Sequence, residues 1–140
     1  MRASILFACA LALASAGAAY AQNNPDMVGT WKGTAIAVQI GANPHRDNSD
    51  RARPSFSSAT LEFTFDITEQ QGNRFAGSVL SGTRNETVIG GHLPGNTSGV
   101  ILDENGRYGF VLRDRNTADL CYSHGNPSSL VVACYTIRRN

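Results

Sequence analysis

Thr60 to Thr68 leaves this chain few choices of fold. Leu61, Phe63, Phe65 and Ile67 hold one parity of that stretch, and Thr60, Glu62, Thr64, Asp66 and Thr68 hold the other. A helix with about 3.6 residues per turn would scatter those apolar groups around its circumference. An extended strand sends them to one face and the polar groups to the other, so the sequence demands a sheet with one buried and one wet side.

The same kind of stretch recurs at short intervals. Gln70-Gln71-Gly72-Asn73 turns the chain, and Phe75, Gly77 and Val79 carry the apolar face back until Gly82. Further short strands are predicted over Thr87–Ile89, Val100–Leu102, Tyr108–Leu112, Ala118–Tyr122 and Leu130–Arg138. They are separated by Gly90-Gly91, Pro94-Gly95-Asn96 and Asn105-Gly106, and Asn-Gly is a hairpin signal because a type I′ turn needs positive φ at both central residues. With a first strand around Trp31 this makes eight strands and no helical period. The pattern predicts an all-β chain, an eight-stranded antiparallel up-and-down β-barrel. A two-sheet sandwich is the alternative, but nearest-neighbour turns through the second half favour a meander over Greek-key crossings. A barrel of this size is either filled with side chains or holds one small ligand.

Val28-Gly29-Thr30-Trp31-Lys32-Gly33-Thr34 opens the barrel and contains the only tryptophan. A large ring set among small residues reads as a plug for one barrel end, with the glycines allowing backbone to approach. Trp31, Gly33 and Ala35 share one parity while Ile36, Val38 and Ile40 share the other, which predicts a bulge near Gly33. Gly41 to Ser58 then has no period, both signs of charge and two prolines. A stretch this long is a solvated connection, or a cover for the barrel mouth or a partner.

Arg2, the apolar run Ile5–Ala14 and Ala19-Tyr20-Ala21 have the layout of a signal peptide over residues 1–21, cleaved after Ala21. Residues 22–140 then form a single barrel domain, periplasmic or secreted, with no membrane attachment after cleavage. Cys9 lies inside the apolar run and leaves with it. Cys121 and Cys134 remain, and an even pair in an exported protein implies a disulfide. A hairpin about Ser123–Ser129 brings the two opposite each other, so the strand and cysteine readings agree.

Twelve Lys and Arg stand against eleven Asp and Glu, and losing Arg2 makes the mature chain formally neutral. Nucleic acid is therefore not an expected partner, and no basic or amphipathic run marks a membrane surface. His45, His92 and His124 fall in three separate segments with no zinc-ligand spacing, so no metal or other cofactor is expected. Ser123-His124 near Asp119 is adjacency rather than a triad, and Glu62, Asp66 and Glu69 belong to a wet strand face, so no catalytic residue is assigned. The sequons at Asn85-Glu86-Thr87 and Asn96-Thr97-Ser98 read as surface turns. Tyr108, Phe110, Tyr122 and Tyr135, on the late strands, are the candidate lining of a ligand pocket, with core filling as the alternative.

Gly29-Thr30-Trp31 resembles the Gly-x-Trp opening of lipocalins and avidins, in which the Trp closes one barrel end. The resemblance implies an Arg from the last strand packed over it, and Arg138 or Arg139 stands at that place, with Arg138 taken as the barrel-closing partner. Arg74-Phe75-Ala76-Gly77-Ser78 is similar to the Phe-x-Gly-Thr of the avidin third strand. The several tryptophans of an avidin pocket have no counterpart here, so no biotin-binding residue is carried over. The chain resembles a small bacterial exported protein of this wider group rather than a true avidin.

Three functions follow as expectations. One is an exported non-enzymatic barrel that binds a small, largely apolar ligand. The second is a protein-interaction module with a filled barrel, such as a secreted-hydrolase inhibitor or a homo-oligomer, marked by an apolar patch on the outer face. The third, an isomerase or cyclase, requires an acid or Tyr buried inside with a shifted pKa.

Overall fold

The computed structural model describes residues 24–41 and 53–140; the leader and residues 42–52 of the long loop, including His45, lie outside the described residues. Ten strands are found among them: β1 (Gly29–Ala35), β2 (Val38–Ile40), β3 (Ser55–Phe56), β4 (Leu61–Gln71), β5 (Arg74–Ser81), β6 (Arg84–His92), β7 (Ser98–Leu102), β8 (Arg107–Asp114), β9 (Thr117–Asn126) and β10 (Ser129–Arg139). Each strand from β4 to β9 pairs antiparallel with its successor. β1 pairs with both β4 and β10 and so closes an eight-stranded up-and-down barrel. β2 and the two-residue β3 extend the sheet from the other end of β10. Because the strands alternate in direction, the turns fall into two sets. One end, the floor, gathers Gly72-Asn73, Leu93–Thr97, Arg115-Asn116 and both described chain ends; the other, the mouth, gathers Gly82-Thr83, Asp103–Gly106 and Pro127-Ser128.

The alternation at Thr60–Thr68 is realised as β4, with Phe63, Phe65 and Ile67 buried and Glu62 and Asp66 exposed. The first strand behaves differently from its predicted pattern. No bulge occurs at Gly33: β1 pairs with β4 from Gly29↔Ile67 to Ala35↔Leu61 without a shift. Inward parity runs through Trp31, Ala35 and Gln39, all buried, while Ile36 is 55% exposed. The strand breaks at Ile36-Ala37 and resumes as β2 in the same register on β10, where Val38 faces Val132 and Ile40 faces Leu130. Those apolar residues join an outer patch instead of marking an inward face. The bulges lie elsewhere, between Ile67 and Glu69 and between Leu112 and Asp114. Gly33 serves close approach: a Cβ there would stand 2.4 Å from the Thr136 carbonyl oxygen.

Asn105-Gly106 also departs from expectation, since neither residue has positive φ. The Asp103 carboxylate closes the turn instead, accepting the Asn105 and Gly106 N–H groups at 2.9 and 2.6 Å. Gly106 is needed for space, because a Cβ would lie 2.7 Å from both the Ser123 carbonyl and the Tyr122 hydroxyl. Cys121 and Cys134 face each other across β9 and β10 and are disulfide-bonded on the outer face.

The floor is sealed by a strap of residues preceding β1. Trp31 is fully buried, and its indole N–H donates to the Met27 carbonyl at 2.9 Å. Gln70 fixes the strap from β4: its Oε1 accepts the Met27 N–H at 2.7 Å and its Nε2 donates to the Pro25 carbonyl at 2.9 Å. Met27 itself is core. The guanidinium that covers Trp31 belongs to Arg139, 4.4 Å from the ring centroid, and not to Arg138. Strand parity decides this. Tyr135, Ile137 and Arg139 point in, whereas Arg138 points out opposite Lys32. Arg139 also pairs with Asp26 at 3.3 Å and donates to its carbonyl.

Candidate functional site

The interior changes character from floor to mouth. Around Trp31 it is apolar; toward the mouth the inward positions include Gln39, Ser81, Glu86 and Ser129, all buried. Three of the four aromatic candidates converge there. The Tyr108 and Tyr122 rings are 4.8 Å apart, and Tyr135 packs on Phe63 at 5.1 Å. Phe110 does not join them. It lies one inward position closer to the floor, against Phe75 at 5.9 Å and His92 at 5.1 Å.

One tyrosine hydroxyl reaches Asp103, and the other two feel its charge. Tyr108 donates to Asp103 Oδ2 at 3.0 Å. Burial is the main cause that lifts the Tyr108, Tyr122 and Tyr135 pKa values well above the ordinary range, and the Asp103 carboxylate pushes each the same way. All three are therefore neutral phenols at physiological pH, able to donate a hydrogen bond. Tyr135 Oη and Ser129 Oγ are buried without a hydrogen-bond partner. An unpaired buried hydroxyl costs on the order of 1–3 kcal/mol, so this end of the barrel is built with polar capacity left over.

Glu86 is the interior acid that sequence reasoning missed. It sits on β6 with Val88 and His92 inward and Ile89 out, is 3% exposed, pairs with Arg84 at 3.3 Å and accepts from the Asn105 amide. Extending the Val88 parity two residues back and four residues on would have found both Glu86 and His92. The apolar Ile89, 56% exposed, obscured that signal. It also follows that Asn85-Glu86-Thr87 is strand and not a surface turn; the second sequon does lie at the β6–β7 turn.

The two described histidines differ. His124 Nδ1 is 2.5 Å from the Asn105 carbonyl oxygen and its Nε2 is 3.0 Å from the Asn126 amide, a pattern that suits a ring protonated on Nδ1. His92 is not solvated. It is buried between Phe75 and Phe110, and neither ring nitrogen makes a hydrogen bond of normal geometry. Burial lowers its pKa below 6.5, with the nearby Pro25 carbonyl opposing part of that shift. The folded state thus binds fewer protons than the unfolded chain just below that value, and stability present above about pH 6.5 is lost as pH falls through it. Urea denaturation at steps from pH 7.5 to pH 5 is expected to show this loss in the native protein and a shallower pH dependence in His92→Phe, whose ring needs no proton. Parallel slopes would refute it.

Among the described residues no group of three or more His, Cys, Asp or Glu is placed to hold a metal ion. On the outside, a groove of about 470 Å³ runs over β5, β6 and β7, lined by Ala76, Ile89, Val100 and Leu102 with Glu69 and Arg74 at its edge. A second groove over β7 to β9 shares Val100 and adds Leu93 and Val111. Fold and site together define a closed eight-stranded antiparallel barrel with a plugged floor and a hydroxyl-rich, acid-flanked mouth. No family model matches the chain, and no curated protein or solved structure matches it.

Proposed function

We propose that this is an exported, non-enzymatic barrel of the wider lipocalin and avidin group that binds one small, largely apolar ligand at its mouth. The observation that carries the reading is the pair of buried, unpartnered hydroxyls on Tyr135 and Ser129 beside a set of aromatic walls. The walls suit an apolar body, and a polar group on the ligand would satisfy the hydroxyls that the protein leaves unpaired. Phenols held in the protonated form favour binding over proton abstraction, since a general base needs a pKa near the working pH. The Gly29-Thr30-Trp31 opening and the Arg139 stack on Trp31 support the placement in that group. The leader pattern and the disulfide support a periplasmic or secreted location.

The outer face favours a second reading. Ile89, Val100, Leu102 and Val111 are each about half exposed on adjoining strands. The edge of this surface carries both signs, Glu69 and Arg74. A face of this kind can meet a second copy of itself across a two-fold axis, apolar centre to centre and acid to base at the rim.

Native mass spectrometry of the mature protein, purified gently from the periplasm and then denatured, separates the two. The first reading expects a discrete small molecule, one per barrel, released on denaturation and lost or much reduced in Tyr135→Phe. A clean apo mass overturns it, and a stable apo dimer would establish the second.

A further inference from the structure

Gly109 is a glycine that one barrel by itself does not need. It stands at an outward position of β8, between the buried Tyr108 and Phe110. Strand glycines elsewhere admit a close neighbour: a Cβ at Gly33, Gly77, Gly90 or Gly99 would come within 2.4 Å of another atom. At Gly109 an added Cβ would meet nothing within 4 Å, and the backbone φ is negative. Neither packing nor conformation within the chain calls for glycine there, although a glycine inside a strand costs stability. A bare strand position of this kind suits close approach from outside.

The surroundings of Gly109 indicate what approaches. It lines the groove of about 470 Å³ over β7 to β9, and its register partners are Val100 on β7 and Cys121 on β9. Val100, 47% exposed, is the ridge between this groove and the one over β5 to β7, where its other register partner is Gly91. Ridge and notch therefore stand side by side on neighbouring strands, about 4.8 Å apart. A two-fold axis running between β7 and β8 sets each Val100 over the Gly109 of the other copy, so one surface supplies both halves of the contact. The charges allow it. Asp119, at the edge of the groove, is paired with Arg113 inside its own chain, and a net charge of +1 over the whole sequence gives two copies little mutual repulsion. We propose that a second copy of this chain docks here, with Val100 of each seated on Gly109 of the other and Leu93 and Val111 beside it. This rests on the self-association reading of the outer face and adds the axis and the residues at its centre.

Sedimentation equilibrium of the mature, disulfide-bonded protein over a dilution series tests it, and a reversible dimer is expected. Gly109→Val sets ridge against ridge and should weaken the dimer about tenfold or more. The same variant, diluted to monomer, should unfold at a urea midpoint equal to or above that of the native monomer, because the new side chain meets nothing in its own chain. Val100→Gly removes the ridge and should also weaken the dimer. The double variant V100G/G109V exchanges ridge and notch, and it should return to within about threefold of the native dissociation constant. Only a reciprocal contact between these two positions predicts that recovery. Gly109→Val keeps the proposal testable should the variants at Val100 fold poorly. Native affinity in Gly109→Val, or a folded double variant no tighter than the single ones, overturns the proposal while leaving self-association through another part of the face intact. A native chain that stays monomeric up to about 1 mM removes both.

Discussion

Trp31→Ala is expected to lower the unfolding free energy by about 4 kcal/mol, within the range for deleting a fully buried tryptophan. Three losses coincide at this position. The indole leaves a cavity at the floor, the Met27 carbonyl loses the indole N–H it accepts, and the Arg139 guanidinium loses the ring beneath it. Trp31→Phe isolates part of that sum, keeping much of the apolar volume and a π face for Arg139 while removing the N–H. It should cost about half as much or less. Urea denaturation followed by far-ultraviolet circular dichroism, which does not depend on the tryptophan, measures both. A loss below about 2 kcal/mol for the alanine variant would mean that Trp31 merely fills space and does not organise the strap.

The second large effect concerns Cys121 and Cys134. Their joint replacement by alanine is expected to destabilise the fold by about 3 kcal/mol, the loop-closure value for a bridge across a separation of 13 residues. Both side chains lie on the outer face, so truncating them opens no core cavity. The loss should therefore come from the greater freedom of the unfolded chain. Reduction of the native protein should give nearly the same fall in urea midpoint as the double variant. If the variant were less stable than the reduced protein by more than about 1 kcal/mol, the cysteines would be contributing packing as well as the bond.

Much of this architecture was written in period-two patterns. Phe63, Phe65 and Ile67 mark β4, the turns mark a meander, and the β9–β10 hairpin aligns the cysteines. The candidate site was less legible because its residues break that pattern. Glu86 and His92 are polar groups at inward positions, and hydropathy cannot distinguish a buried acid from a surface one. Ile36 and Ile89 are apolar groups facing out, which misled the reading of β1 and hid the inward parity of β6. Asp103 belongs to a turn, where no period applies, and its importance comes from folding back toward tyrosines that lie on three other strand positions. Arg139 against Arg138 was decidable in principle from the alternation of Tyr135 and Ile137, provided the strand is followed to its final residue.

The seal at the floor ties the order of synthesis to the order of assembly. Arg139 reaches Asp26, 113 residues earlier, while the Asn140 N–H donates to the Thr30 carbonyl and the Arg139 N–H to that of Asn116. In a chain made from N- to C-terminus the strap around Asp26 and Trp31 appears long before the Arg139 that covers the ring, 113 residues after Asp26. Until then the first strand has one unpaired edge and an exposed indole, and the contacts that close the barrel are the most distant in sequence and the slowest to form. The middle strands can pair locally as hairpins, but the circle is completed only when β10 returns to β1.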